Sequence, residues 1–229
     1  MLCRLFCEYF MIITKFYCTK RKFYVTITYI YQGGITMKIC VFGAASPKID
    51  PKFISETEAL GAELAKRGHT LVFGGGGNGL MGAAARGAKS AGGEVIGIIP
   101  KFFEDENIEA LFEECDDLIE TDSMRDRKMI MEEMSDAFLI VPGGIGTFEE
   151  FFEVLTLKQL RRHDKPIAIY NVAEYYNELQ AVMDVSMAKG FINENCKSLY
   201  KFAYNFDEVF GYIEETDGVS LSVKELKDG

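Results

Sequence analysis

The sequence is short of histidine and of positive charge. His69 and His163 are its two histidines in 229 residues. Neither stands at a ligand spacing with Cys, Asp or Glu, so no metal site is expected. No Ser-His-Asp arrangement is suggested either. Lys and Arg total 25 against 35 Asp and Glu, a net charge of −10. A nucleic-acid protein normally needs a basic footprint, so a nucleic-acid partner is not expected. No apolar run approaches the roughly 18 residues of a transmembrane helix. The start lacks a continuous apolar run with a small-residue cleavage site, so no secretory signal is expected. No membrane partner is expected. Cys40, Cys115 and Cys196 form no C-x-x-C pair, which fits reduced, buried thiols and a cytoplasmic location. There is no internal repeat and no low-complexity tract.

What is present divides at Met37. Residues 1–36 carry Arg4, Lys15, Lys20, Arg21 and Lys22 against Glu8, a net +4, which leaves −14 for the remainder. The same stretch holds Cys3, Cys7, Cys18 and 9 of the 29 Phe and Tyr residues. Val25–Ile30 reads as strand. Gln32-Gly33-Gly34 can be encoded by a purine run like a prokaryotic ribosome-binding site, a short spacer before Met37. Residues 1–36 are therefore expected to be a translated leader outside the domain. The rest is long enough for one α/β domain with a full core.

From Met37 strands and helices alternate. Strands are expected at 37–43, 69–73, 94–99, 117–121, 137–141, 166–170 and 198–203. Helices are expected from Pro51, capped by Asp50, to Arg67, then at 80–91, 123–134, 146–161, 173–189 and 206–215. Residues 101–115 read as acidic and irregular, and the tail from Thr216 as frayed. Repeated β-α units with short connections imply a single doubly wound, Rossmann-like α/β domain: a parallel sheet with helices on both faces. Ligands bind outside the carboxyl ends of such strands.

Three motifs fall at those ends. Gly74-Gly75-Gly76-Gly77-Asn78-Gly79-Leu80-Met81-Gly82 contains a literal G-x-G-x-x-G. A dinucleotide fingerprint belongs on the first βα turn, with an acidic residue about 20 positions on. Here the run is on the second turn, and Phe102 and Phe103 occupy that distance. An anion cradle and a plain tight turn remain open readings. Pro142-Gly143-Gly144-Ile145-Gly146-Thr147-Phe148-Glu149-Glu150 places backbone N–H groups and a hydroxyl at a helix start, suited to phosphate. Thr147-x-x-Glu150 is also a capping box, but a cap needs no glycine run. In Ser123-Met124-Arg125-Asp126-Arg127-Lys128 three cations oppose the helix dipole. Arg127 further heads the core stripe Arg127–Ile130–Met131–Met134 and so needs an anionic partner. The plainer readings are a solvated basic turn, or an ion pair with Glu132 or Asp126. Glu150 and Glu153 share a helix face, and Glu150 heads the apolar row Glu150–Val154–Leu157. An inward Glu and an inward Arg converging at the strand ends suit a reaction that builds positive charge beside a fixed anionic group.

Taken in order, Gly75 to Met81, Met124-x-x-Arg127-Lys128 and Pro142-Gly-Gly-x-Gly-Thr-x-x-Glu150 resemble the LOG family. These are the cytokinin riboside 5′-monophosphate phosphoribohydrolases, formerly labelled lysine decarboxylases. The resemblance spans residues 37–215 and implies a Rossmann-like homodimer acting on a small-molecule nucleoside monophosphate. The reaction would hydrolyse the N-glycosidic bond of AMP or a cytokinin riboside 5′-monophosphate to free base and ribose 5-phosphate. It implies Arg127 and Glu150 as the catalytic pair and Gly144, Ile145, Gly146 and Thr147 as the phosphate loop. Lys128, Thr156 and Glu109 are implied as further contacts. Ser46, Gly76, Gly79, Met124, Gly143 and Glu149 complete the candidate binding positions. A decarboxylase would need a cofactor lysine in a recognisable setting, and none is found, so no cofactor is expected. The apolar rows Phe148–Phe152–Leu155 and Val154–Leu157 allow a dimer interface. The alternative is a non-catalytic nucleotide or cofactor carrier resembling the molybdenum-cofactor carriers.

Overall fold

The computed structural model describes residues 9–19, 22–31, 35–105, 108–216 and 218–227. They form two units that divide between Ile35 and Thr36. In the first, β1 (Tyr9–Thr19) and β2 (Lys22–Tyr31) pair as an antiparallel hairpin, with an irregularity between Ile13 and Lys15. The stretch read as strand from its β-branched pattern lies in β2.

The second unit begins with β3 (Lys38–Phe42), α1 (Pro51–Lys66), β4 (Thr70–Phe73), α2 (Gly79–Ser90), β5 (Val95–Pro100) and the short α3 (Lys101–Asp105). It continues with β6 (Asp117–Thr121), α4 (Met124–Met134), β7 (Ala137–Ile140), α5 (Ile145–Gln159) and β8 (Ile167–Tyr170). It ends with α6 (Asn177–Ala188), β9 (Lys201–Ala203), α7 (Phe206–Glu215) and α8 (Val223–Lys227). Seven parallel strands lie in the order β6-β5-β4-β3-β7-β8-β9. β4, β5, β7 and β8 are buried at every residue, because helices cover both faces and an unbroken apolar run is then favoured over alternation. On one face Leu60, Leu64, Leu80 and Phe210 pack with Leu71 and Phe73. On the other Met131, Phe151, Val154 and Met183 pack with Val72, Ile98 and Ile140. The expected doubly wound α/β sheet is the observed one.

β3 is flanked by β4 on one side and β7 on the other. The chain thus leaves β3 in one direction and returns on its opposite side, which opens a crevice between the loops after β3 and β7.

Local signals worked where the cap was local. Asp50 accepts from the Lys52 amide with Pro51 at the helix start, and Ser123 accepts from the Asp126 amide. Three expectations are corrected. The helix read over 173–189 begins at Asn177, after a 3-10 turn at Val172–Glu174 in which Ala173 and Glu174 have φ of 51° and 62°. The buried Asn171 side chain takes the Tyr176 amide at 2.6 Å and so holds the chain out of the helix. The strand read from Ser198 starts at Lys201, because a 3-10 turn occupies Glu194–Leu199. The tail is not frayed over 218–227. Ser222 and Glu225 form a reciprocal capping box that starts α8, and Leu226 is fully buried. Gln159 and Cys196 both donate to the Leu226 carbonyl.

Candidate functional site

The crevice is a cleft of about 600 Å³. Its floor comes from the loop after β3 (Gly43 to Pro47) and its walls from the starts of α2, α4 and α5 and from Phe103, Ile108 and Glu109. Of the sequence candidates, Ser46, Glu109, Met124, Arg127, Gly144, Gly146, Thr147, Glu149 and Glu150 line it.

Arg127 is buried at 4% exposure. Neither Glu132 nor Asp126 holds it. Nε donates to the Ile98 carbonyl of β5 and Nη2 to the Gly74 carbonyl beyond β4, each at 3.1 Å. The Phe103 ring lies 5.5 Å beneath the guanidinium, a cation–π contact. Asp126 is instead taken by the Ser123 hydroxyl at 2.7 Å. Two carbonyls fix the orientation of Arg127 without neutralising it. α4 and α5 follow strands that stand four places apart in the sheet, yet α4 packs across β6, β5 and β3 and so brings Arg127 to the cleft of β7.

Glu150 shares that cleft. Burial pushes its carboxyl up to about 7; the Arg127 charge opposes this and the Glu149 and Glu153 carboxylates add to it. Burial also raises the Glu109 carboxyl, again against the pull of Arg127. Glu109 Oε1 is buried with no hydrogen-bond partner. One fixed cation therefore faces two carboxyls that burial discourages from ionising.

The glycine loop after β7 carries no side-chain cap. Gly144 is the N-cap of α5, and Thr147 lies inside the first turn, so the Thr147–Glu150 capping box is not formed. The first N–H groups of α5 are left for solvent or a ligand, with the positive end of the helix dipole behind them.

Several candidates do not line the cleft. Gly76 lies under the Glu109 carboxyl, where a Cβ would overlap it, and Gly79 packs on the Ala44 carbonyl. Gly143 lies under the Thr147 side chain. These three make room for the wall rather than form its surface. Lys128 is drawn between α4 and α5 by Glu149 at 2.5 Å and Glu153 at 2.6 Å. Partial burial works against its charge, but the two carboxylates outweigh it and hold Lys128 above its usual range. Arg125 is exposed and stands outside the cleft. The expected cluster of three cations therefore reduces to Arg127 alone. Ile145 is 89% exposed, and Thr156 lines a separate small groove beside Phe152.

Sequence reasoning missed Ala44, Ala45, Asn78, Met81 and Ile108 as lining residues. For Ala44 and Ala45 the available signal was the position of the first βα loop at the switch point. Both histidines serve the scaffold: His69 Nε2 lies 3.0 Å from Glu214, and His163 Nε2 donates to the Val154 carbonyl at 2.9 Å.

A family profile described as "Possible lysine decarboxylase" matches residues 81–213. The cytokinin riboside 5′-monophosphate phosphoribohydrolase LOG4 of Arabidopsis thaliana is 37% identical over 178 residues, covering 78% of this chain and 82% of that one. The chain belongs to the LOG family. A probable cytokinin riboside 5′-monophosphate phosphoribohydrolase of Oryza sativa subsp. japonica, LOGL5, is 36% identical over 78% of this chain and 72% of its own length. Among solved structures, the molybdenum cofactor binding protein of Rippkaea orientalis matches with a TM-score of 0.59. It is 21% identical, with 77% of this chain and 94% of that one covered. The molybdenum cofactor carrier protein of Chlamydomonas reinhardtii matches at a TM-score of 0.58 and 22% identity, covering 77% and 94%. At that identity the likeness shows a shared fold.

Proposed function

We propose that this LOG-family chain hydrolyses the N-glycosidic bond of a nucleoside 5′-monophosphate, AMP or a cytokinin riboside 5′-monophosphate, to free base and ribose 5-phosphate. The observation that carries this is Glu150, a carboxyl raised to about 7 in the same cleft as the fixed charge of Arg127 and the uncapped start of α5. As the bond from C1′ to the base breaks, its electron pair leaves with the base and positive charge builds on the ribose. Ionised Glu150 stabilises that charge and accepts a proton from the water that attacks C1′, while the departing base takes up a proton from solvent. Arg127 acts through the charge and the fixed N–H donors of its guanidinium. The 5′-phosphate is assigned to the N–H groups of 144–147 with the Thr147 hydroxyl. Glu109 Oε1, buried without a partner, offers an acceptor to a ribose hydroxyl or an amino group of the base.

The same reading takes residues 37–215 as the catalytic domain and places the enzyme in the cytoplasm. Among the described residues no helix is long and apolar enough to cross a membrane. It also takes the active form as a homodimer. Ile145, Phe152 and Thr156 are exposed along one face of α5, and a second copy covering that face would bury them. Sedimentation at micromolar concentration should give twice the chain mass; a monomer there overturns the dimer.

Incubation with AMP and with a prenylated adenosine monophosphate, followed by chromatography, should show free base. Binding without release from any monophosphate would mark a non-catalytic carrier and overturn the hydrolase reading.

A further inference from the structure

The loop proposed to take the phosphate has few anchors of its own. Gly143, Gly144 and Gly146 offer no side chains, and no side chain caps α5. A site that binds through backbone N–H groups gains most when those groups are fixed before the ligand arrives.

Two consecutive tyrosines supply the anchors. The Tyr176 hydroxyl donates to the Val141 carbonyl at 2.8 Å, and the Tyr175 hydroxyl donates to the Gly143 carbonyl at 2.7 Å. Between them the Ala44 amide donates to the Pro142 carbonyl at 3.1 Å. Three successive carbonyls after β7 are thus held by three separate donors. A trans peptide is planar, so holding the Gly143 carbonyl also sets the Gly144 N–H, which points the opposite way.

The turn that aims the tyrosines is strained. Ala173 and Glu174 both sit in the left-handed region, which their Cβ atoms disfavour. Such strain persists only where surrounding contacts over-determine it. Here Asn171 accepts from the Tyr176 amide at 2.6 Å and donates to Asn177 at 2.8 Å. Phe53 of α1 packs edge-on against Tyr175, and Phe148 of α5 against Tyr176. Tyr176 is buried, and its hydroxyl needs an internal partner. Tyr175 is 40% exposed; water could serve its hydroxyl, yet it reaches the glycine loop.

We propose that Tyr175 and Tyr176 are positioning residues that hold the 143–147 loop in its phosphate-binding form. This rests on the phosphate assignment made above.

Tyr175→Phe keeps the ring and removes the hydroxyl. Hydrogen exchange of the peptide spanning 143–147 should quicken. Calorimetric affinity for ribose 5-phosphate should fall roughly 3- to 10-fold, the worth of one hydrogen bond. Affinity for adenine and Tm should stay at wild-type values. Tyr176→Phe, measured well below its Tm, should show the same selective loss. Wild-type exchange and wild-type ribose 5-phosphate affinity in both variants would overturn the proposal. So would equal losses for both ligands together with a lower Tm, which indicate a merely structural role, and so would wild-type protein that binds no ribose 5-phosphate. If wild-type protein binds ribose 5-phosphate but releases no base, the hydrolase reading fails while the tyrosine comparison stands.

Discussion

Nη2 of Arg127 donates to the Gly74 carbonyl at 3.1 Å, and a Cβ on Gly74 would overlap that same nitrogen. The first residue of the glycine run is thus bare because the guanidinium lies across it. Gly74→Ala should push Arg127 off its two carbonyls. A displacement of about 1 Å can cost on the order of 100-fold in rate, so kcat/KM for AMP should fall by about that much while far-UV circular dichroism is unchanged. Wild-type kcat/KM would show that the placement of Arg127 does not matter.

Glu150→Gln should keep AMP affinity within about threefold and lower kcat by about 10²–10⁴, the usual worth of a positioned acid or base. Near-normal turnover would reduce Glu150 to a structural residue. In the wild type, kcat/KM should rise from pH 6 to pH 8 as the carboxyl, raised to about 7, ionises. The stability effect has the opposite sign. A folded-state pKa above the unfolded value of about 4.3 gives stability that is complete below that value and lost as pH rises through 7. Tm should therefore fall less between pH 5 and pH 8 in Glu150→Gln than in wild type.

Lys158 is fully buried, and its Nζ has no hydrogen-bond partner. Burial pushes the ammonium down to about 8, with Asp164 opposing and Arg161 adding to the effect. The unfolded value is about 10.4, so below pH 8 the native state bears the full penalty of a buried charge. Lys158→Met should stabilise the protein by about 1–3 kcal/mol at pH 7. The gain should shrink between pH 8 and pH 10.4. Thermal melts across that range test it; a gain independent of pH would mean that packing, not charge, is the cause.

Leu226→Ala should undock α8. The deletion leaves a cavity beside the 3-10 turn at Glu194–Leu199 and costs about 2 kcal/mol or more. Limited proteolysis should then cut after Thr216 while the rest of the domain resists. Cleavage elsewhere first would show that the tail is not the weakest element.

The sheet and the meeting of Arg127 and Glu150 in one cleft were readable because their signals are local. Apolar strands, the Asp50-Pro51 and Ser123 helix starts, and Arg127 heading a core stripe each depend on residues within two turns. Ser222-x-x-Glu225 was equally local, but it lies in a polar tail, and only the burial of Leu226 makes that short helix worth forming. The turn before α6 could not be read, since Asn171 overrides helix preference through contacts that a periodic pattern does not contain.

By itself, then, the sequence determined the parallel α/β sheet, the glycine loops at its strand ends and the acid and the cation that meet there. The tertiary structure decided which charges remain available. Lys128 is consumed by Glu149 and Glu153, Arg125 stands outside the cleft, and Arg127 stays unneutralised on two carbonyls, one in β5 and one just past β4, that the sheet order β6-β5-β4-β3 brings beneath it. Burial and partner choice depend on what packs across the sheet, and residues 21 and 29 to 53 positions apart in the chain meet only once it has folded.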